Sequence, residues 1–238
     1  MTTTFRRLMG LLTLISLAVV LVIPLNPVGT RFQHLMQLVA AGGVWGGLLT
    51  LGWRRKGLRG LLLALPVLAG VILALPARRM DREGLRADYV AELQKFESVP
   101  YFWGGESPRG IDCSGLPRRA LRNALLSRAA RQADAGALRM FAEQWMFDTS
   151  ALAMSEGYRG FTRDLGIKGT IATLDCGLLE PGDLAVTEGG AHVLVFLGGE
   201  RWIQADPGLG RVAALNGRTE DNSWFRHPVT LHRWTVFS

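Results

Sequence analysis

The chain has 238 residues, of which 48% are hydrophobic, and its formal net charge is +7. This apolar content excludes a disordered tail, and two cysteines are too few for a disulfide-framed scaffold. Residues 1–80 contain nine Arg or Lys and no acidic residue, whereas residues 81–238 hold 18 basic and 20 acidic residues. Because the positive excess lies wholly in the apolar N-terminal third, it indicates membrane spans with basic loops and argues against nucleic-acid binding.

Three uncharged apolar stretches cover residues 8–30, 32–53 and 60–77. Each is long enough to cross a bilayer, which takes about 20 predominantly apolar residues. None of them repeats a polar face at helical spacing, as a buried core helix would. We therefore predict a membrane region at 1–79 with three transmembrane helices, the third kinked by Pro66. The glycine pairs at 42–43 and 46–47 are typical of close contact between helices.

The basic residues predict the orientation of these spans. Arg6 and Arg7 precede the first span and four basic residues lie at 54–59, whereas Arg31 stands alone between the first two spans. Since basic loops tend to stay in the cytoplasm, everything after Pro76 is expected outside. A cleaved signal peptide is the alternative for the first stretch, although residues 26–29 match a cleavage site poorly. The remaining hairpin would leave the same orientation.

The pattern of residues 80–238 predicts one α+β domain, with helices first and antiparallel strands afterwards. Apolar residues at helical spacing predict helices at 80–98, 113–132 and 135–155. Short apolar runs between turn residues predict strands at 183–187, 192–197, 201–206, 211–215 and 229–237. Residues 198–200, Gly-Gly-Glu, predict a hairpin turn between the second and third of these strands.

The candidate nucleophile is Cys113, which follows a glycine-rich loop at the start of a predicted helix. Free N–H groups and the partial positive charge at a helix start favour the thiolate and stabilise an oxyanion. His192 begins a strand after a Gly-Gly turn, and in a hairpin centred on Gly198 or Gly199 it shares a face with Gln204. These side chains predict a Cys-His-polar triad, although a one-residue slip would turn Gln204 to the other face.

Five short motifs in order resemble those of the NlpC-type family of papain-like cysteine peptidases, which cut peptides of bacterial cell walls. They are Tyr101 with Gly104 and Gly105, Asp-Cys-Ser-Gly-Leu at 112–116, Pro-Gly-Asp-Leu at 181–184, His-Val at 192–193, and Gln204. The resemblance covers most of residues 98–206. It implies that residues 80–238 form a papain-like NlpC-type domain, with N-terminal helices packed on an antiparallel β-sheet.

The resemblance also implies a role for each matched side chain. Cys113 is the nucleophile, His192 the general base and acid, and Gln204 the residue that orients the imidazole. Tyr101, Asp112 and Ser114 support substrate binding or the oxyanion: Tyr101 lines the site and steadies the tetrahedral intermediate, while Asp112 caps the helix and supports the loop.

The chain departs from the family pattern in three ways. Gln204 stands where the family often has a second histidine, Pro117 lies in the first helical turn, and the interval between Cys113 and His192 is long. Residues 125–170 lie outside the resemblance, and we expect them to form a cap over the cleft.

Together, the resemblance and the orientation imply a membrane-anchored cysteine endopeptidase or amidase that hydrolyses amide bonds in peptidoglycan stem peptides. We expect a multi-pass protein of the bacterial cytoplasmic membrane with its catalytic domain outside. Its partners would be stem peptides and the lipid bilayer, without nucleic acid, metal or cofactor, and the oligomeric state stays open. The alternatives are an acyltransferase or amidase that acts on a lipid or another peptide through the same Cys-His site, and an inactive wall-binding module.

Other polar residues have simpler interpretations. Cys176 has no comparable motif around it and is interpreted as structural. A disulfide between Cys113 and Cys176 is the alternative in an oxidising compartment, but it would disable the proposed site. His227 and His232, with Asp206 or Asp221, match no common metal-ligand spacing, which favours surface histidines. Five arginines of the predicted helix at 113–132 are interpreted as a solvated face rather than an anion-binding surface. They are Arg118, Arg119, Arg122, Arg128 and Arg131.

Overall fold

The structure is a computed structural model that describes residues 2–238 of the chain. Its first three helices are α1 (Thr3–Val22), α2 (Arg31–Leu51) and α3 (Lys56–Ala74). All three are long and apolar enough to cross a membrane, since about 20 residues at 1.5 Å per residue match a hydrocarbon core of about 30 Å. They lie where the three apolar stretches predicted them.

Small residues bring α1 and α2 into close contact. A Cβ added to Gly43 would lie 2.5 Å from Ser16 Oγ, and one added to Gly47 would overlap Thr13 Oγ1. The neighbouring Gly46 faces open space. Of the two glycine pairs, therefore, one member of each lies in the helix contact, at a spacing of four residues.

Enlarging the contact glycine is expected to destabilise this helix pair. Gly47→Val should lower the free energy of unfolding by about 1–3 kcal/mol, because the added methyl groups have no room beside Thr13. Gly46→Val is the matched control, with the same chemistry in open space. Thermal unfolding of the full chain in detergent measures both, and equal midpoints for the two variants would contradict the close contact.

The third helix is tied to the second through Pro66. Proline has no N–H, so the carbonyl of Leu62, four residues earlier, loses its partner within α3. Trp45 of α2 donates its Nε1–H to that carbonyl, with 2.9 Å between nitrogen and oxygen. α3 continues through Pro66 as one helix, and the carbonyl that proline frees becomes an interhelical hydrogen bond.

The chain after α3, which we call the soluble domain, begins with helices, as the sequence predicts. They are α4 (Arg82–Gln94), α5 (Gly115–Gln132), α6 (Ala135–Met146) and α7 (Ala151–Ser155). The single helix predicted at 135–155 is two helices, because Ser150 accepts a hydrogen bond from the Ala153 N–H (3.2 Å) and starts a new one. A small ribbon between α4 and α5 pairs β1 (Glu106–Ser107) with β2 (Gly110–Ile111).

A six-stranded antiparallel sheet follows the helices. Its strands are β3 (Thr162–Thr170), β4 (Leu184–Thr187), β5 (Val193–Gly198), β6 (Arg201–Asp206), β7 (Arg211–Asn216) and β8 (Pro228–Trp234). Their order across the sheet is β3-β8-β4-β5-β6-β7. The apolar pattern does not predict β3. This edge strand is interrupted by Gly166 and by a bulge between Asp164 and Lys168, so its apolar alternation is weak.

The sheet buries both of its faces. On one face α4 and α5 contribute Leu85 and Leu121 to a core that includes Trp234. The other face carries Trp202 and Phe225. β5 and β6 are buried along most of their length, and these strands position the site described below.

The arginines of α5 are not a solvated face, and that prediction is wrong for three of the five. Arg118, Arg122 and Arg128 are buried. Arg118 Nη1 and Arg122 Nη2 contact the two carboxylate oxygens of the buried Glu106 at 2.9 and 2.6 Å. Arg128 contacts Asp81 at 2.8 Å. Burial is tolerated because each guanidinium has a carboxylate partner, which sequence spacing alone does not reveal.

The soluble domain contacts the same end of the three helices at two places. The Glu106 N–H donates to the carbonyl of Pro27, in the α1–α2 connection, at 2.8 Å. Arg139 Nη1 donates to the carbonyls of Leu73 and Leu75 at the end of α3, at 2.6 and 2.8 Å. The start of α1 and the basic turn before α3 therefore lie at the opposite end of the helices.

Candidate active site

Cys113 lies just before α5, in a segment organised by Asp112. One oxygen of Asp112 accepts from the Gly115 N–H (2.5 Å) and from Ser114 Oγ (3.1 Å). The other oxygen accepts from the Gly104 N–H at 2.9 Å. Asp112 thus holds the start of α5 against the preceding loop, and Cys113, only 8% exposed, is fixed between them.

His192, which directly precedes β5, and Gln204 on β6 lie side by side, and both are buried. His192 Nε2 and Gln204 Oε1 are 2.6 Å apart. Trp224 stacks on the imidazole with ring centroids 4.1 Å apart and planes at 16°. The backbone N–H of His192 donates to Thr187 Oγ1 at 2.9 Å. Imidazole, amide and indole therefore hold one another in a single orientation.

A β-bulge sets the register that allows this pairing. Next to the turn, Gly198 pairs with Arg201, and the register shifts by one residue before the rest of β5 and β6 pair. Without that shift Gln204 would lie opposite Val195, on the other face of the sheet from His192. The prediction that His192 and Gln204 share a face is correct, and the bulge is the reason.

Asp206 is the buried group that holds Gln204 in place. Its Oδ2 accepts from Gln204 Nε2 at 3.2 Å and from Asn222 Nδ2 at 2.6 Å. Its Oδ1 accepts from the N–H groups of Gly208 and Leu209 at 2.7 and 3.2 Å. From the sequence, Asp206 is a candidate only as a metal ligand, and its contact with Gln204 is not predicted. Its position two residues after Gln204, on the same face of β6, is the signal that would have found it.

The orientation of the Gln204 amide determines which imidazole nitrogen is free. A carboxylate only accepts hydrogen bonds, so the amide NH₂ of Gln204 faces Asp206 and its oxygen faces His192. An amide oxygen also only accepts, so His192 Nε2 carries the proton. The lone pair is then on Nδ1, the nitrogen left to act as a base.

Burial dominates the ionisation of the proposed nucleophile and base. It raises the pKa of Cys113 to about 11, with a further contribution from the charge of Asp112, against the lowering effect of backbone N–H groups of Val193, Ser114 and Cys113 itself. Burial also lowers the pKa of His192 to about 4. The expectation of a thiolate at the helix start is therefore not met, and both groups are neutral at pH 7 in the unliganded protein.

This ionisation predicts how Cys113 reacts with iodoacetamide. In a full-length Cys176→Ala variant, the alkylation rate should rise about tenfold per pH unit between pH 7 and 9, because the thiolate fraction is still far from saturation. At pH 7 the reaction should be at least about 100-fold slower than that of a free cysteine, whose pKa is about 8.5. A rate that levels off below pH 7 would instead indicate a preformed thiolate–imidazolium pair.

Tyr101 lies near Cys113, Asp112 and Asp206. Burial, with the charges of Cys113, Asp112 and Asp206, raises the pKa of Tyr101 to about 12. The phenol is therefore protonated at neutral pH and able to donate a hydrogen bond. Such a donor can stabilise the oxyanion that forms when the Cys113 sulfur attacks a carbonyl group.

Cys113 opens into a cavity of about 220 Å³. Five parts of the chain line it, which are 28–30, 103–104, 112–118, 148–151 and 190–191. The segment 148–151 belongs to the region 125–170, for which we expected a cap over the cleft. The segment 28–30 belongs to the α1–α2 connection, which the sequence analysis did not associate with the site.

The other candidate residues do not form a second site. Cys113 and Cys176 are both free thiols. His232 Nε2 is 2.7 Å from Thr230 Oγ1, and His227 packs against Trp224. Within residues 2–238, no group of three or more His, Cys, Asp or Glu side chains is placed to hold a metal ion.

Comparison with known proteins agrees with this architecture. A model of the NlpC/P60 family matches residues 98–228, more than half of the chain. The protein therefore belongs to the NlpC/P60 family. A search of curated proteins finds no match.

Solved structures with a similar fold include two described as peptidoglycan hydrolases. RipB from Mycobacterium tuberculosis is 20% identical with a TM-score of 0.40, and the match covers 64% of this chain and 67% of that one. The NlpC/P60 domain of SagA is 24% identical with a TM-score of 0.35, covering 62% and 97%. NlpC1 from Trichomonas vaginalis is 16% identical with a TM-score of 0.40, covering 68% and 48%.

Proposed function

We propose that this NlpC/P60 protein is a membrane-anchored cysteine peptidase that hydrolyses amide bonds in peptidoglycan stem peptides. Cys113 is the nucleophile, His192 the base, and Gln204 the residue that orients it. The observation that carries the proposal is the buried chain of hydrogen bonds from Asp206 through Gln204 to His192 Nε2. It leaves Nδ1 with a lone pair, as a general base requires.

In the first half of the proposed reaction, His192 Nδ1 takes the proton of the Cys113 thiol as the sulfur attacks the scissile carbonyl carbon. The carbonyl oxygen becomes negative and is stabilised by the Cys113 N–H at the helix start and by the Tyr101 hydroxyl. The imidazolium then donates its proton to the amide nitrogen. The C–N bond breaks, the amine leaves, and the acyl group remains on sulfur as a thioester.

In the second half, a water molecule replaces the amine. His192 Nδ1 accepts a proton from the water as its oxygen attacks the thioester carbonyl. The C–S bond breaks, and the proton on the imidazolium returns to Cys113. The products are a carboxylic acid and an amine, and the side chains return to their starting state.

We further propose that the domain limits are 1–79 for the membrane region and 80–238 for the catalytic domain. The helices α1 to α3 cross the bacterial cytoplasmic membrane, with the catalytic domain outside. Two observations support this topology. The soluble domain contacts one end of the helices, while the basic turn at 54–59 lies at the other end, where cytoplasmic loops carry positive charge.

The assay that tests this function measures new amino groups released from purified peptidoglycan fragments by the full-length protein in liposomes. We expect one new amine and one new carboxyl group per cleavage. A parallel reaction with an added amine acceptor distinguishes hydrolysis from acyl transfer, since a transferase would form the amide of the acceptor in preference to the acid. Failure to release any amine would contradict the peptidase function.

A further inference from the structure

The cavity that contains Cys113 is completed by the membrane region. Val28, Gly29 and Thr30, from the connection between α1 and α2, line it together with Cys113. Thr30 is also the N-cap of α2, where its side chain accepts a hydrogen bond from the Gln33 N–H. One wall of the proposed active site is therefore continuous with a membrane-spanning helix.

Several contacts fix this connection on the soluble domain. Val28 forms an isolated β-bridge with Gly105, next to the hydrogen bond between Glu106 and Pro27. Arg109 Nη1 donates to the carbonyls at positions 24 and 25, at 3.2 and 3.3 Å. A Cβ on Gly29 would lie 2.8 Å from Glu106 Oε2, so glycine permits this close approach.

A second attachment lies on α6 and at its N-cap. Besides the Arg139 contacts with the end of α3, Asp134 Oδ1 accepts a hydrogen bond from the Arg78 N–H at 3.3 Å. A Cβ on Gly136 would lie 2.7 Å from the Cβ of Ala77, so these segments touch closely. Because the domain is attached at both places, it cannot extend from the bilayer as a domain on a flexible linker would.

The position of the cavity relative to the bilayer follows from the length and contacts of α2. Its 21 residues span about 32 Å, close to the ~30 Å thickness of the hydrocarbon core. The first two turns of α2 pack against the soluble domain, where His34 stacks on Trp145 with ring centroids 4.3 Å apart. Thr30 and the cavity therefore lie up to about 10 Å outside the hydrocarbon core, at the level of the headgroups. Trp103 lines the same cavity and is 80% exposed, and Phe102 beside it is 46% exposed. Exposed aromatic residues are typical of the headgroup level.

We infer that the preferred substrate is a stem peptide still attached to a lipid carrier in the same bilayer. The inference rests on the proposed peptidase function and adds where the substrate must be. An amide in a lipid-linked precursor lies at the headgroup surface, at the height of the cavity. An amide in the finished wall has to be brought to that surface before the fixed domain can reach it.

The decisive experiment uses full-length protein in liposomes with four substrates that carry the same stem peptide. They are a directly lipid-linked form, a lipid-linked form with a spacer about as long as a bilayer is thick, a soluble form and isolated wall. We expect the directly linked form to be cleaved at least about tenfold faster than the soluble form, and the spacer to give no gain. The spacer form controls for concentration in the membrane, because both lipid-linked forms are equally confined.

The outcomes separate this inference from the function on which it rests. Equal or faster cleavage of the soluble, wall-bound or spacer-linked forms would overturn the inference and leave the peptidase function standing. Cleavage of none of the four would overturn both.

A second measurement needs no catalysis. A maleimide attached to a lipid headgroup should raise the labelling of Cys113 relative to Cys176 in the same chain, compared with a water-soluble maleimide. An unchanged ratio would contradict the position of the cavity at the membrane surface, whatever the enzyme cleaves.

Discussion

Exchange of Cys113 for alanine is expected to lower the rate of stem-peptide cleavage by about 10⁴–10⁶-fold, to the background of the assay. The reason is that no other cysteine lines the cavity, so the substrate cannot form a thioester elsewhere in the site. Removing a nucleophile that acts together with its base costs almost as much as removing the whole group. The measurement is amine release by the full-length variant under the conditions used for the wild-type protein.

Cys176→Ala is the matched control, because the chain offers a second free thiol away from the cavity. It should cleave at the wild-type rate. Unfolding curves for both variants exclude a loss of structure, which matters for Cys113 because its side chain is part of the hydrophobic core. Comparable activity of Cys113→Ala and the wild-type protein would contradict the assignment of the nucleophile.

The second large effect concerns Asp206, which acts on the reaction only through Gln204. In Asp206→Asn, the new amide has to keep its oxygen toward the N–H groups of Gly208 and Leu209, so its NH₂ faces the NH₂ groups of both Gln204 and Asn222. Gln204 then flips, and its NH₂ faces His192 Nε2. The imidazole proton moves to Nδ1, the nitrogen that should be free, and we expect kcat to fall by about 10²–10⁴-fold.

A double variant tests the reason for that loss. In Asp206→Asn with Gln204→Glu, the new carboxylate accepts from His192 Nε2–H and from the new asparagine NH₂, so the base returns to its active tautomer. We expect recovery of at least about tenfold in kcat over Asp206→Asn alone. Nitrogen-15 chemical shifts of the imidazole report the tautomer directly. A purely structural role for Asp206 would lower stability without moving those shifts, and the double variant would then not recover.

The parts of the site that depend on local sequence patterns could be predicted from the sequence. A glycine-rich loop before Cys113, a strand that starts at His192 and a turn at 198–200 are each readable within about ten residues. The shared face of His192 and Gln204 also followed from alternation along the strands. It depended, however, on the exact register, which the bulge beside Gly198 sets, and a bulge has no dependable sequence signal.

The contacts between distant segments were beyond sequence reasoning. Arg118 and Arg122 look like a solvated helix face until Glu106, on a two-residue strand, is seen between them. The same holds for Gly29, whose importance lies in its approach to Glu106 across the chain. Because both cases depend on which segments meet after folding, composition and periodicity contain no information about them.

The most direct test of the proposed chemistry is to trap the acyl-enzyme. Full-length protein is mixed with excess stem peptide, quenched in acid within a single turnover, and digested for mass spectrometry. We expect a thioester on the peptide that contains Cys113, with the mass of the acyl half of the substrate, and none on Cys176. Complete cleavage with no adduct on Cys113 at any time point would contradict a Cys113 nucleophile.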